Sequence, residues 1–137
     1  MAAAITTGRT VVTLTGDGDG DFVMSMGELG TAAQYGVKTI MLVLNNGMYG
    51  SIRMHQERHF PGRVSGSDLR NPDFAALAET FGLAGARVSR TSDFEPAFLA
   101  ALNRECSTVI EVTLDPQALT TRASLDEIRA RARAAGH

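Results

Sequence analysis

Apolar residues in this chain are concentrated in short runs that are rich in β-branched side chains. The strongest runs cover residues 10–15, 39–44 and 108–114, and a weaker run covers residues 86–89. Runs of this length without alternating polar positions predict strands that are covered on both faces, as in a parallel sheet.

Segments between the apolar runs carry the signals that begin and end helices. Helices are expected to begin at Ser25, Asn71, Asp93 and Ser124, the first and last through a capping box with a glutamate three residues later. Gly36 and Gly82 are expected to end the first two. The buried faces of the second and third helices are predicted to be Phe74, Leu77, Ala78 and Phe81, and Phe94, Phe98, Ala101 and Leu102.

The alternation of strands with helices predicts the fold class. Right-handed βαβ crossovers produce a doubly wound α/β fold with a mainly parallel sheet and helices on both faces. At 137 residues the chain fits a single domain, residues 1–137. The arginines of the last helix, Arg129, Arg131 and Arg133, are expected to form a solvated face.

Composition and charge narrow the class of protein. A net charge of -2 gives no reason to expect nucleic acid or an acidic membrane as a partner. No apolar stretch approaches the roughly 18 residues of a membrane span. The single cysteine, Cys106, cannot form an internal disulfide and fits a core or boundary position rather than a nucleophile. These features predict a cytoplasmic protein.

Polar residues follow two of the predicted strands at the point where each ends. Residues 16–21 read Gly-Asp-Gly-Asp-Gly-Asp after the first strand, and residues 45–47 read Asn-Asn-Gly after the second. The carboxyl ends of parallel strands share one edge, and glycines let main-chain N–H groups approach an anion there. Carboxylate, amide and carbonyl oxygens suit Mg²⁺. The sequence therefore predicts a metal-bridged phosphate site.

Two alternatives exist for the acidic segment. Residues 16–21 can form a simple polar turn between a strand and a helix. Asp17, Asp19, Asp21 and Glu28 also stand at positions 1, 3, 5 and 12 of a calcium-binding EF-hand loop. However, Phe22 occupies the position that requires glycine, and a strand rather than a helix precedes the segment.

The spacing between the two motifs resembles a known signature. Gly18-Asp19-Gly20 is followed by 24 residues and then Asn45-Asn46, which is similar to the Gly-Asp-Gly and double-asparagine motif of thiamine-diphosphate-dependent enzymes. Residues 68–74, Asp-Leu-Arg-Asn-Pro-Asp-Phe, resemble the acetolactate synthase and benzoylformate decarboxylase branch of that family. The resemblance spans roughly residues 10–115 and implies a thiamine-diphosphate-binding fold.

The resemblance also implies cofactors and ligands, namely thiamine diphosphate and Mg²⁺. The Asp19 and Asn46 side chains and the Met48 carbonyl would bind the metal. The main chain around Gly18, Gly20 and Asp21 would hold the diphosphate, with Gly50 and Ser51 near its far side. The reacting group belongs to the cofactor, whose ring acts as an electron sink.

The sequence departs from the family in carrying two overlapping Gly-Asp-Gly copies, residues 16–18 and 18–20. Counting back from Phe22 or Asn45 selects Asp19 as the metal ligand, whereas counting forward from Thr15 selects Asp17. We favour Asp19, because a turn at the strand end can absorb two extra residues more easily than the packed helix and asparagines.

The family resemblance implies that this chain is half of a catalyst. Such enzymes need a pyrimidine-binding domain that contacts the aminopyrimidine ring, and nothing in this chain resembles it. We therefore expect a fragment or small subunit of a homo-oligomeric enzyme that decarboxylates a 2-oxo acid or joins the product to a carbonyl. The alternative function is a catalytically inert phosphate- or Ca²⁺-binding or docking module.

Histidines and arginines after the second motif offer further candidate groups. His55 and His59 have the i, i+4 spacing of a helical metal pair and suit acid–base chemistry, although an exposed polar helix end explains them as well. The arginines at positions 53, 58, 63 and 70 can meet a substrate carboxylate or a partner domain.

Overall fold

The computed structural model describes residues 1–15 and 17–136 of the chain. In chain order its elements are α1 (Ala2–Thr7), β1 (Val11–Thr15), α2 (Gly18–Ser25), α3 (Glu28–Tyr35), β2 (Thr39–Asn45), α4 (Gly50–His59), α5 (Phe74–Thr80), β3 (Ala84–Val88), α6 (Phe94–Leu102), β4 (Thr108–Thr113) and α7 (Leu125–Ala134). A 3₁₀ turn at Thr91–Asp93 precedes α6. No helix in these described ranges is long and apolar enough to cross a membrane.

The four strands form one sheet in the order β1-β2-β4-β3, and all neighbouring strands are parallel. The predicted α/β fold is therefore confirmed. The three strong apolar runs match β1, β2 and β4 to within a residue at each end. The weaker run corresponds to β3, which begins at Ala84 rather than at residue 86. Its first residues are alanine and glycine, and a Cβ at Gly85 would overlap the Ala75 backbone of α5, so only glycine fits at position 85.

Helices cover both faces of β2, β3 and β4, as predicted, but the prediction is wrong for the edge strand β1, where Val12 and Leu14 are 46% and 62% exposed on one face. On one face, α2, α3 and α5 pack on β2 and β4 through Phe22, Leu29, Ala32, Met41, Val43, Phe74, Ala78 and Val109. On the other face, α6 packs on β2, β3 and β4 through Ala101, Ile40, Val88 and Ile110. Burial of this apolar surface is the main force that holds the helices on the sheet.

The first predicted helix start is wrong. Ser25 does not cap a helix; it is the last residue of α2, and its hydroxyl donates to the Asp21 carbonyl at 3.0 Å. The next helix begins at Glu28, without a side-chain cap. Helix α2 begins in the second Gly-Asp-Gly copy, so part of the segment that could have been a polar turn is helical. Gly36 ends α3 in the left-handed conformation, as predicted.

Of the other predicted helix starts, that of α5 is wrong, that of α6 is partly right and that of α7 is confirmed. Asp73, not Asn71, caps α5 by accepting the Ala76 N–H at 3.0 Å. Asp93 stands at the start of α6, but its carboxylate binds Arg90 rather than a helix N–H. The predicted capping box of α7 is present, since the Ser124 and Glu127 side chains each accept the other's N–H.

The predicted environments of three side chains differ from the structure. Phe81 and Leu102, assigned to buried faces, are 39% and 38% exposed. Arg129, assigned to a solvated face, instead binds the buried Glu57 carboxylate at 2.6 Å. Each is a residue at the margin of its helix face, where a neighbouring element decides burial.

Candidate functional site

Asp19 lies in the first turn of α2 at the carboxyl edge of the sheet and is completely buried. One carboxylate oxygen, Oδ2, accepts a hydrogen bond from the Asn71 amide. The other, Oδ1, is buried and has no hydrogen-bond partner within the described part of the chain. An unpaired buried carboxylate oxygen is costly. This buried, unpaired oxygen makes Asp19 a candidate cation ligand at this edge of the sheet.

Asn71 connects Asp19 to the end of β2. Its amide also donates to the Asn45 Oδ1 atom at 3.2 Å, and the Asn45 amide donates to Glu111 Oε1 at 2.7 Å. The second Glu111 oxygen lies 3.7 Å from Arg87 Nε, which is ion-pair distance but beyond a hydrogen bond. The side chains therefore form one polar network across the ends of β2, β3 and β4.

The loop after β2 is held in place by backbone hydrogen bonds. The Tyr49 N–H donates to the Ser67 carbonyl and the Leu69 N–H donates to the Gly47 carbonyl, both at 2.9 Å. Asn46 Oδ1 accepts the Met48 N–H at 3.2 Å, and Met48 is buried. These contacts fix the position of Asn46 and Met48 relative to the strand end.

Asp17 immediately precedes α2, and its carboxylate contacts the first turn of α4. Its Oδ1 accepts the Ser51 N–H at 3.0 Å and its Oδ2 accepts the Ser51 hydroxyl at 2.7 Å. Asp17, Asn46, Gly50 and Ser51 line a cavity of about 280 Å³. Its apolar wall consists of Leu44, Met54, Leu114, Ala118 and Leu119.

Two glycines allow side chains to pack closely against the first turns of α2 and α4 at this edge. A Cβ at Gly20 would overlap the Tyr49 ring. A Cβ at Gly50 would lie 2.8 Å from Leu119 Cδ2 and 3.0 Å from Asn46 Nδ2. A larger residue at position 20 would displace the Tyr49 ring just before α4, and one at position 50 would displace Leu119 or Asn46. Both turns carry N–H groups without helical partners, which suit an anion.

The predicted site residues therefore fall into two neighbouring groups. Asn46, Gly50 and Ser51 share the cavity with Asp17, whereas Asp19 belongs to the buried network of Asn71. The acidic segment does not have EF-hand geometry, because α2 occupies the positions that a calcium loop would need. The sequence prediction gave Asn71 only the role of a helix cap. The Asn-Pro-Asp-Phe motif, which resembles the family, was the one sequence feature that could have indicated its contact with Asp19.

The two histidines do not extend the site. The His55 and His59 rings are stacked with centroids 6.1 Å apart on exposed α4 positions. Within residues 1–15 and 17–136, no cluster of three His, Cys, Asp or Glu side chains is placed to hold a metal. His59 instead lines a separate cavity of about 540 Å³ between α4 and α7. The donors near Asp19 fit a metal that takes amide, carbonyl and phosphate oxygens as well as a carboxylate.

Comparison with known proteins assigns the family. The model of the thiamine pyrophosphate enzyme C-terminal TPP binding domain matches residues 1–112. The chain therefore belongs to this family. The match ends within β4, so α7 lies outside it.

Individual relatives agree with the family. The chain is 35% identical over 97 residues to an acetolactate synthase of Arthrospira platensis, covering 69% of this chain and 17% of that protein. It is 38% identical over 87 residues to the acetolactate synthase large subunit of Haemophilus influenzae, covering 63% of this chain and 15% of that protein. The chain thus spans less than a fifth of the length of these relatives.

A solved structure shows the same fold. It is a thiamine diphosphate-dependent 4-hydroxybenzoylformate decarboxylase from Rhodococcus jostii RHA1, with a TM-score of 0.75 and 35% sequence identity. The superposition covers 82% of this chain and 21% of the decarboxylase.

Proposed function

We propose that this chain binds the diphosphate of thiamine diphosphate through Mg²⁺, as part of an enzyme that decarboxylates a 2-oxo acid or joins the product to a carbonyl. The observation that carries the proposal is the unpaired, buried Asp19 Oδ1 atom at the carboxyl edge of the sheet, in a chain that belongs to a thiamine pyrophosphate-binding family. Metal coordination would satisfy this oxygen and offset the cost of burying its charge.

The metal ligands in this proposal are the Asp19 carboxylate, the Asn46 amide oxygen and the Met48 carbonyl. Asn71 bonds both Asp19 and Asn45, so the carboxylate and the double asparagine share one edge of the sheet. The backbone hydrogen bonds between residues 47–49 and residues 67–69 fix the position of the Met48 carbonyl. A rigid ligand set reduces the entropy that metal binding must overcome.

The diphosphate would lie between the first turns of α2 and α4. The main chain of Gly18, Gly20 and Asp21 would contact it from α2, and Gly50 and Ser51 would contact it from α4. The N–H groups and positive dipole ends of both helices favour a negative ligand. When bound, the cofactor supplies an electron sink for cleavage next to a carbonyl, and this chain's residues hold and orient it.

Residues 1–137 would then be one domain of a larger catalyst. The partner is a pyrimidine-binding domain or subunit of the same homo-oligomeric enzyme, which would cover the other end of the cofactor. The names of the acetolactate synthase relatives and of the benzoylformate-type decarboxylase support a 2-oxo acid as the small-molecule substrate.

Calorimetry of the purified chain tests this function. We expect thiamine diphosphate to bind only with Mg²⁺, and we expect Asn46→Ala to lose more than about tenfold in affinity with an unchanged circular dichroism spectrum. Asn103→Ala, at an exposed position after α6, is the matched control and should bind as the parent chain does. Tight Ca²⁺ binding without the cofactor, or normal cofactor binding by Asn46→Ala, would contradict the proposal and favour an inert calcium-binding or docking module.

A further inference from the structure

The Asp17 carboxylate occupies the N-terminus of α4. Both of its oxygens accept hydrogen bonds from Ser51, one from the N–H at 3.0 Å and one from the hydroxyl at 2.7 Å. Ser51 is the second residue of α4, so its N–H is one of the first-turn donors that have no partner inside the helix. Asp17 therefore binds this helix end as an anion would.

The same donors belong to the proposed diphosphate site. Ser51 and Gly50 line the cavity together with Asn46 and Asp17. An anion that takes the Ser51 N–H and hydroxyl must displace both Asp17 oxygens, because the two acceptors would compete for the same hydrogen atoms. A carboxylate left beside the bound diphosphate would also repel it, since like charges at close range are unfavourable.

We propose that Asp17 is an internal competitor of the diphosphate, which holds the α4 anion site closed until a metal–diphosphate complex displaces it. This inference rests on the proposed function and adds regulation of the same site. The two aspartates of the doubled Gly-Asp-Gly motif then have different roles. Asp19 binds the metal, and Asp17 sets the affinity for the anion.

Bonding distinguishes the two aspartates. Asp17 has both oxygens engaged by Ser51, whereas Asp19 is buried with an unpaired oxygen. The metal is therefore assigned to Asp19, and Asp17 is left to the helix end.

Asp17 is also placed so that its side chain can leave. It is only partly buried, so its carboxylate regains water when it swings away and the desolvation cost is small. Its backbone N–H donates to Asp21 Oδ2 at 3.0 Å. This bond anchors the backbone of Asp17 while the carboxylate is exchanged for another anion.

Titration calorimetry with inorganic pyrophosphate and Mg²⁺ tests the proposal on the whole chain. Asp17→Asn removes the competing charge, and we expect its pyrophosphate affinity to rise by about tenfold, as loss of a charged hydrogen-bond competitor implies. Asp17→Ala should give a similar gain. Glu95→Gln removes one charge from an exposed position of α6 and should leave the affinity unchanged.

Thermal unfolding without ligand supplies a second readout. Asp17→Ala should unfold at a lower temperature, because it loses both hydrogen bonds that the Asp17 carboxylate makes with Ser51 at the start of α4. Tighter binding together with lower stability is the combination that a purely structural cap would not give.

Each other outcome contradicts a defined part of the account. Unchanged affinity in Asp17→Asn, with Mg²⁺-dependent binding intact in the parent chain, overturns the competitor role and leaves the proposed function standing. Weaker binding in Asp17→Asn overturns it in favour of Asp17 as the metal ligand. Binding that does not depend on Mg²⁺ in any variant contradicts the proposed function itself and the inference with it.

Discussion

Two carboxylates among the residues that the structure describes are completely buried, and their surroundings are opposite. Glu57 in α4 has both oxygens paired, one with Arg129 Nη2 at 2.6 Å and one with the Gly62 N–H at 2.8 Å. Asp19 in α2 is equally buried, but it has one amide partner and one oxygen without any within the described residues. Both oxygens of Glu57 therefore have partners within the fold, whereas one oxygen of Asp19 has none among the described residues.

This difference separates a structural charge from a functional one. A buried charge is tolerated when opposite charge and hydrogen bonds compensate its lost hydration, and Glu57 meets that condition. Asp19 lacks a cationic partner, so its burial opposes folding. A residue that opposes folding in the free chain is a candidate for binding a cation.

The Glu57 pair also joins two elements. Helices α4 and α7 pack on each other, and the Arg129 hydrogen bond lowers the pKa of the Glu57 carboxyl below its ordinary value. This pair therefore holds α7, which lies outside the range matched by the family, against α4, whose first turn lines the candidate site.

Replacing Glu57 should have the largest effect on stability. Glu57→Gln removes a buried charge-assisted pair, and we expect the free energy of unfolding to fall by about 2 kcal/mol in denaturant titrations. Arg129 keeps its exposed partner Asp126, which limits the loss. The matched control Asp126→Asn breaks an exposed pair and should cost less than about 1 kcal/mol. Equal losses in the two variants would refute the structural role of Glu57.

Acid should remove the same contribution progressively. The folded-state pKa of Glu57 is lowered, so its stabilisation is fully present above the ordinary glutamate pKa of about 4.3 and is lost as pH falls through the lower folded value. The stability gap between the parent chain and Glu57→Gln should therefore narrow below about pH 4. A gap that stays constant from neutral to acid pH would show that the pair carries no such linkage.

Asp19→Asn should have the smallest effect on stability. The substitution keeps the shape of the side chain and a possible hydrogen bond with Asn71, and it removes a buried charge that nothing in the described chain neutralises. We expect the midpoint of thermal unfolding to stay the same or to rise slightly. A loss as large as that of Glu57→Gln would mean that Asp19, too, is a structural charge.

Sequence patterns predicted the sheet because each strand carries its own signal. The apolar runs identified β1, β2 and β4 without knowledge of their neighbours, and the Ser124 capping box was predicted because its partners are three residues apart. The start of β3 was missed because glycine at position 85 does not favour a strand. Glycine is required there by the close approach of the α5 backbone, which local sequence does not reveal.

Contacts between distant residues were beyond such patterns. Asn71 was assigned to a helix cap, but its amide is used by residues 52 and 26 positions away, and Asp73 caps the helix instead. Arg129 was assigned to solvent, although its partner Glu57 lies 72 positions away. The choice between Asp17 and Asp19 likewise depends on distant partners, which are Ser51 for Asp17 and Asn71 for Asp19.

Magnesium dependence of thiamine diphosphate binding in Asp19→Asn is the most direct test of the central claim. We predict that the parent chain binds the cofactor more tightly as Mg²⁺ is added, and that Asp19→Asn loses this dependence while remaining as stable as the parent. Asp126→Asn, at an exposed position of α7, should keep it. Undiminished Mg²⁺-dependent binding by Asp19→Asn would contradict the assignment of Asp19 as the metal-binding carboxylate.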